Sequence, residues 1–328
     1  MRLNVKMAAL AGIAVSFTAV GVLIVLTDSA EAGSVLHPFS ADSPWNTPID
    51  QAHVEYTGPN AIENRQFRDS SLANTWIAAE NLLFNTPNNA PLLKWTFGTL
   101  NDGGRFSNNG TIQIGTPKNL VLTHGDDGWS IFTDLDGVHY WETWAATYNA
   151  KAKTYHAGYL VRGNLNGTGW GHNGAGAGIR AAGASLLGGL IQPQELNNLS
   201  IKHALSIELD PAQLKAGVNQ SDQFVFPAVS ADTNSTTSYQ GTIPMGAHFA
   251  LPADLDISGA GLTPEGRALA EAYQKYGGYV VDATGHTAVL ALVTGGTKKQ
   301  LDNLFRDAVW IRDHLVMLLP APNGHKAQ

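Results

Sequence analysis

The sequence predicts a mainly β protein: an antiparallel β-sandwich of the jelly-roll or concanavalin-like kind, with a small C-terminal α/β elaboration packed on it. Three observations carry that expectation. From Leu92 onward, short apolar runs alternate with Gly/Asn/Asp clusters, the spacing of strands and turns. Runs rich in aromatic and β-branched residues flank tight-turn signals such as Asp136-Gly137. Charged residues make up only 14% of the 328 residues, against about 25% in an average soluble domain, and 35 Gly, 23 Asn and 25 Thr take their place.

Residues 1–32 read as an export signal. Arg2 and Lys6 precede an uncharged stretch over 7–26, and Ala30-Glu31-Ala32 matches a small-x-small cleavage site. Cleavage there gives a secreted protein with no membrane span; left uncleaved, the stretch is long enough to act as an anchor. Residues 33–60, with Pro38, Pro44, Pro48 and Pro59, form an extended lead-in. The β-sandwich domain spans 61–262 and opens with a short helix over 62–80 carrying Leu72, Trp76 and Ile77. Within it, 129–133 and 138–145 form a hairpin and 154–162 continues the meander. A Gly-rich passage over 167–189 and a helical turn over 192–197 follow, and then strands over 201–209, 224–229 and 245–251. Residues 263–328 read as helix, strand, strand, helix. Thr263-Pro264-Glu265 combines an N-cap, a Pro at the first helical position and an acid in the first turn, where the helix dipole favours negative charge. Leu269, Ala272, Tyr273 and Tyr276 follow at helical spacing. The runs 279–282 and 287–293 form a hairpin-like pair around Gly285, and a last helix covers 298–316 with Leu301, Leu304, Phe305 and Ala308 on one stripe.

Composition removes several functions. A net charge of -7 with only 20 Lys and Arg lacks the basic stripe of a nucleic-acid binder. The absence of cysteine removes disulfide scaffolds, thiolate zinc sites and thiol nucleophiles. A mean hydropathy of -0.09 is too polar for a multi-span membrane protein. Gly169-Trp-Gly171-His-Asn-Gly174 matches a dinucleotide fingerprint, but without the strand before it and the helix after it that would give it meaning. Gly183-Ala-Ser185-Leu-Leu-Gly188 misses the nucleophile elbow by one residue. No zinc spacing of histidines occurs, and no cofactor is expected. Asp134-x-Asp136-Gly137 begins like a calcium loop and lacks the later ligands, which leaves a structural Ca²⁺ on a loop as the one metal candidate.

The residues that could carry chemistry cluster in the middle third. Period-two alternation over 138–145 points Tyr140, Glu142 and Trp144 one way, and His139, Trp141 and Thr143 the other. A carboxylate between two rings on an open sheet face suits a sugar: the rings stack on pyranose C–H faces, and the acid accepts hydroxyl hydrogen bonds or handles a proton. The same pattern also fits core rings beside an acid at the sheet edge. His203 interrupts the apolar row Ile201, Leu205, Ile207 and Leu209; at a cleft it would act as acid or base near neutral pH, and in the interior as a satisfied core histidine. Glu142 and His203 are thus the catalytic candidates. Tyr140, Trp144, His124, Asp126, Tyr148, Trp170 and His172 are the substrate-binding candidates.

The runs Tyr140-Trp-Glu-Thr-Trp144, Gly188-Gly-Leu-Ile191, Ile201-Lys-His-Ala-Leu205 and Tyr276-Gly-Gly-Tyr-Val-Val-Asp282 resemble a family of exported, mostly uncharacterised bacterial and fungal proteins. The resemblance implies a concanavalin-like or jelly-roll sandwich and supplies no reaction.

These readings converge on a secreted carbohydrate-active enzyme, monomeric, cleaving a polysaccharide or cell-wall glycan in a β-sandwich groove. A glycoside hydrolase needs two carboxyl groups, about 5–5.5 Å apart for retention or roughly 6.5–9.5 Å for inversion. Asp126, Asp127 and Glu208 are candidates to partner Glu142. A polysaccharide lyase needs a base, His203 or Tyr140, and a cation to hold the enolate, with Arg105, Arg162 and Arg180 available. The alternative is a non-catalytic secreted glycan- or wall-binding protein.

Overall fold

The computed structural model describes residues 35–79, 83–123, 127–171 and 178–319; the expected export segment lies outside the described residues. Strand outweighs helix, 32% against 18%, so the chain is mainly β. After α1 (Ile62–Arg68) and β1 (Asn74–Ala78), the chain lays down β2 (Leu83–Phe84), β3 (Leu92–Asp102), β4 (Arg105–Gly115), β5 (Ser130–Thr133), β6 (His139–Trp144), β7 (Thr147–Asn149) and β8 (Thr154–Asn164). Strands β2 to β8 form the first sheet, in the order β2-β5-β6-β8-β3-β4 with β7 beside β8. The hairpin read from Asp136-Gly137 is β5–β6. It closes through Asp134 N–H to the His139 carbonyl at 2.8 Å, and Gly137 takes the left-handed φ of 67° that the turn demands. β8 continues that meander antiparallel to β6.

The rest of the chain supplies β9 (Leu190–Ile191), α2 (Pro193–Asn198), β10 (Leu205–Leu209), α3 (Ser235–Ser238), β11 (His248–Ala250), α4 (Pro264–Lys275), β12 (Gly278–Ala283), β13 (Thr287–Val293), α5 (Lys298–His314) and β14 (Val316–Met317). With β1 these strands make the second sheet, β1-β13-β10-β12-β11-β14, and β9 adds to the end of β13. Both C-terminal helices start as read: Thr263 Oγ1 caps α4 by accepting Gly266 N–H at 3.0 Å, and Thr297 with Gln300 forms a capping box on α5.

Four sequence expectations need correction. Neither sheet is purely antiparallel: β2/β5, β3/β8, β1/β13, β9/β13 and β10/β12 run parallel. The strands 279–282 and 287–293 are not a hairpin pair, because β10 lies between them; Thr284 N–H crosses its end to the Leu209 carbonyl at 2.9 Å. The C-terminal stretch is therefore built into the second sheet instead of being packed on a finished sandwich. The physical sign is a lack of alternation: all of β10 and six of the seven residues of β13 are buried, the mark of strands covered on both faces. The helix expected over 62–80 stops at Arg68, where Asp69 Oδ1 takes the Ser71 N–H at 2.8 Å in a local turn, and Trp76 and Ile77 lie on β1. Residues 224–229 form only an isolated bridge, Phe224 to Met245, beside Pro227, which has no ladder donor to offer.

Ile131, Tyr140 and Val161 of the first sheet share one hydrophobic core with Leu205, Ile207 and Val289 of the second. The opposite face of the first sheet carries another core around Trp95, Phe132, Trp141 and Leu160. The passage 178–189 is bonded to both sheets. It accepts Ser206 Oγ–H at the Gly188 carbonyl (2.6 Å), donates Ala182 N–H to the Val281 carbonyl (3.0 Å), and meets Glu142 of β6.

Candidate functional site

The alternation read along β6 holds, since Tyr140 lies in one core and Trp141 in the other. What that side meets is different from the open groove expected. Tyr140 is buried edge-on against Phe39, 6.3 Å between ring centres, and Glu142 is 0% exposed. Tyr140 therefore offers no face to a sugar. Glu142 instead receives three donors from the passage above it. Oε1 accepts Ser185 Oγ–H at 2.5 Å and Leu186 N–H at 2.7 Å, while Oε2 accepts Ile179 N–H at 3.1 Å. Burial pushes its carboxyl up to about 7, against the pull of these donors and of Arg180.

Arg180 is the next residue, and its guanidinium reaches the second sheet. Nη1 stands 2.6 Å from Glu208 Oε1 and 3.3 Å from Asp282 Oδ2, with the Trp129 ring 5.3 Å from the guanidinium carbon. Register makes this convergence. Ser206 pairs with Tyr279 and Ile207 with Val280, but a bulge then sets Glu208 opposite Asp282. In an unbroken register Val281 would stand opposite Glu208, and Asp282, one residue on, would take the other face of the sheet. The bulged Val281 carbonyl is the acceptor for Ala182 N–H, so the same irregularity aligns the acids and anchors the arginine's loop. The Arg180 and Glu208 side chains are 3% and 6% exposed, and Asp282, at 15%, is the open edge of the group.

The electrostatics follow from burial. Asp282 is pushed up to about 8 by burial first; Arg180 opposes this, and the charges of Asp232 and Glu208 add to it. Glu208 is raised by burial against Arg180, with Asp127 adding repulsion. Asp232, also raised by burial, accepts a hydrogen bond from the Tyr239 hydroxyl. Burial thus favours the protonated forms of these carboxyl groups, and the single guanidinium that touches Glu208 and Asp282 opposes it.

Other expected residues go elsewhere. His203 donates from both ring nitrogens, Nδ1 to the Ala204 carbonyl at 2.8 Å and Nε2 to Glu195 Oε2 at 3.2 Å. Both partners are acceptors, an arrangement that favours the protonated ring. Burial lowers its pKa, but the hydrogen bond and charge of Glu195 outweigh burial and leave it raised. Glu195 also closes the capping box of α2, so the pair braces that helix and His203 is not joined to Glu142. Trp170 is buried in a stack on Trp45 at 4.8 Å. Tyr148 is exposed and lies on Tyr155, a residue of the core on the far face of the first sheet. Trp144 is half-buried and donates Nε1–H to Asp127 Oδ1 at 3.3 Å. His124, Asp126 and His172 lie outside the described residues. In the calcium-like loop, the Arg162 guanidinium meets Asp134 at 2.8 Å and Asp136 at 2.7 Å and supplies the positive charge there. Among the described residues no group of three or more His, Asp or Glu side chains is placed to hold a metal ion.

Sequence reasoning found Glu142, Arg180, Glu208 and Asp127 as separate candidates and missed Asp282, Asp232 and Tyr239. The available signal for Asp282 was an acid closing the buried run Val280-Val281; the bulge that turns it toward Glu208 leaves no mark in the pattern. Compared with protein-family models, with curated proteins and with solved structures, the chain finds no match in any of the three.

Proposed function

We propose that this chain is a secreted carbohydrate-active enzyme, a glycoside hydrolase whose carboxyl pair is Glu208 and Asp282. The observation that carries this reading is the contact of both carboxyl groups with the single Nη1 of Arg180. Asp282, more exposed and pushed up to about 8, suits the acid that protonates the leaving oxygen. Glu208, in the shorter contact with Arg180, is the carboxylate that attacks the sugar or activates water. Two oxygens that touch one nitrogen at 2.6 and 3.3 Å lie closer together than the roughly 6.5–9.5 Å of an inverting pair, which favours retention of configuration. Carboxyl groups outnumber the guanidinium, which supports a neutral glycan over a polyuronate. Against the lyase version stand the burial of Tyr140 in the core and the engagement of both His203 ring nitrogens with acceptors.

The test is incubation of the protein from Gly33 onward with a panel of neutral and acidic polysaccharides, following reducing ends and the absorbance of unsaturated ends. New reducing ends without new absorbance are expected on a neutral polymer. Absorbance appearing with them would replace the hydrolase by a lyase, and retention on the polymer with no product would leave a binding protein.

A further inference from the structure

Among the described residues, Glu142 is the acid with the most hydrogen bonds to the passage between the sheets, and those bonds go to backbone and serine donors instead of to the proposed pair. Its three donors come from the two ends of a short closed loop: Ile179 N–H at the start, Ser185 Oγ–H and Leu186 N–H at the finish. Between them the loop turns back on itself, Gly183 N–H to the Arg180 carbonyl at 2.8 Å and Arg180 N–H to the Ala184 carbonyl at 3.0 Å, with Gly183 at a left-handed φ of 77°. A Cβ on Gly178 would lie 2.0 Å from the Ala184 backbone, so the closure leaves no room for a side chain at its base. The far side of the loop is tied to the second sheet through Ala182 and Val281. Arg180 sits on the tip of a clamp whose jaws are held by one carboxylate.

We propose that Glu142 is a positioning residue: by gripping both ends of loop 179–186 it holds the Arg180 guanidinium between Glu208 and Asp282. This rests on the hydrolase reading for its effect on turnover, while the grip itself is independent of it. The charged and titratable groups facing Glu142 are Arg180 from the loop, Tyr140 from its own strand and Tyr159 from β8. None of them replaces the three donors.

The experiment compares wild type with Glu142→Gln and Ser185→Ala. The Gln variant keeps an acceptor for Ser185 and Leu186 but turns an N–H₂ group onto Ile179 N–H, so donor meets donor and that jaw opens. Amide hydrogen exchange over 179–186 should quicken at Ile179 and Arg180 in Glu142→Gln. On the glycan that the wild type cleaves, kcat should fall about 10- to 100-fold with KM little changed, as for a displaced transition-state group. The acidic limb of the pH profile should move upward, because Glu208 and Asp282 lose part of their cation. Ser185→Ala removes one donor and should change all three readouts in the same direction by less. Unchanged exchange over 179–186 with an unmoved pH profile in Glu142→Gln would overturn the proposal, as would a larger effect from Ser185→Ala. If the wild type cleaves nothing, the hydrolase reading falls and the exchange data alone decide whether Glu142 grips the loop.

Discussion

Two arginines in this molecule each gather several acids, and the consequences are opposite. Arg162, with a side chain 25% exposed, meets Asp134, Asp136 and, at 3.8 Å, Asp102 at the turn end of the β5–β6 hairpin. There slight burial raises Asp136, but the Val138 and His139 amides and the His139 ring outweigh it and hold the carboxyl down at about 2. Arg180 meets Glu208 and Asp282 between the sheets, and Asp282 goes up to about 8. In both cases the partners are carboxyl groups within 4 Å of the guanidinium. What differs is burial and hydrogen bonding: at the hairpin two amides and the His139 ring stabilise the Asp136 carboxylate, and between the sheets desolvation outweighs the one guanidinium. One cluster keeps its carboxylates ionised, and in the other burial favours the protonated carboxyl.

That contrast can be broken in order of expected effect. The largest concerns turnover: Asp282→Asn and Glu208→Gln should each lower kcat/KM about 10²- to 10⁴-fold on the glycan that the wild type cleaves, while circular dichroism shows a folded chain. Activity within a few-fold of wild type in both would remove the pair from the reaction. Next is stability at the buried cluster. Arg180→Met strips Glu208 and Asp282 of their cation and should cost about 3–5 kcal/mol in urea unfolding at neutral pH, easing as the acids are protonated.

The pH dependence of the native protein follows. A carboxyl whose folded pKa is raised binds its proton more tightly in the fold, so its contribution is full below the ordinary value and is lost as pH rises through the folded value. For Glu142 the window runs from 4.5 to about 7, and for Asp282 from 3.8 to about 8. Tm should therefore fall as pH rises from about 5 to about 9, with Glu142 alone accounting for ~3 kcal/mol. Glu142→Gln should flatten the part of that slope below pH 7. Asp136 runs the other way: its contribution is present above the ordinary 3.8 and disappears as pH falls toward 2. A Tm that climbs steadily between about pH 5 and about pH 9 would contradict the buried assignment. The smallest effect sharpens the comparison from the surface side. Arg162→Ala should cost about 0–1 kcal/mol and leave any glycan cleavage unchanged.

Much of the local structure was legible. The hairpin at Asp136-Gly137, the cap at Thr263 and the alternation of Tyr140 against Trp141 are decided by neighbours within a few residues, and the chain writes them plainly. The site was legible only in pieces. Glu142, Arg180 and Glu208 stand out as acids and a base in apolar or Gly-rich surroundings, but the face of β6 that carries Glu142 reads equally as groove or interior. His203 shows the same limit: its row is apolar, and only the position of Glu195 on α2 turns it into a helix brace.

The sequence by itself determined that the chain is mainly β, where its best turns and helix starts fall, and which polar residues interrupt apolar strands, because these depend on backbone preference and on burial averaged along a strand. Tertiary structure alone decided that β10 lies between β12 and β13, that one bulged residue turns Asp282 toward Glu208, and that a loop threaded between two sheets delivers Arg180 to both. Pairing across a sheet joins residues separated by more than 70 positions in the chain, as with Glu208 and Asp282. A shift of one residue in that pairing reverses which side chains meet, and nothing local in either strand records it.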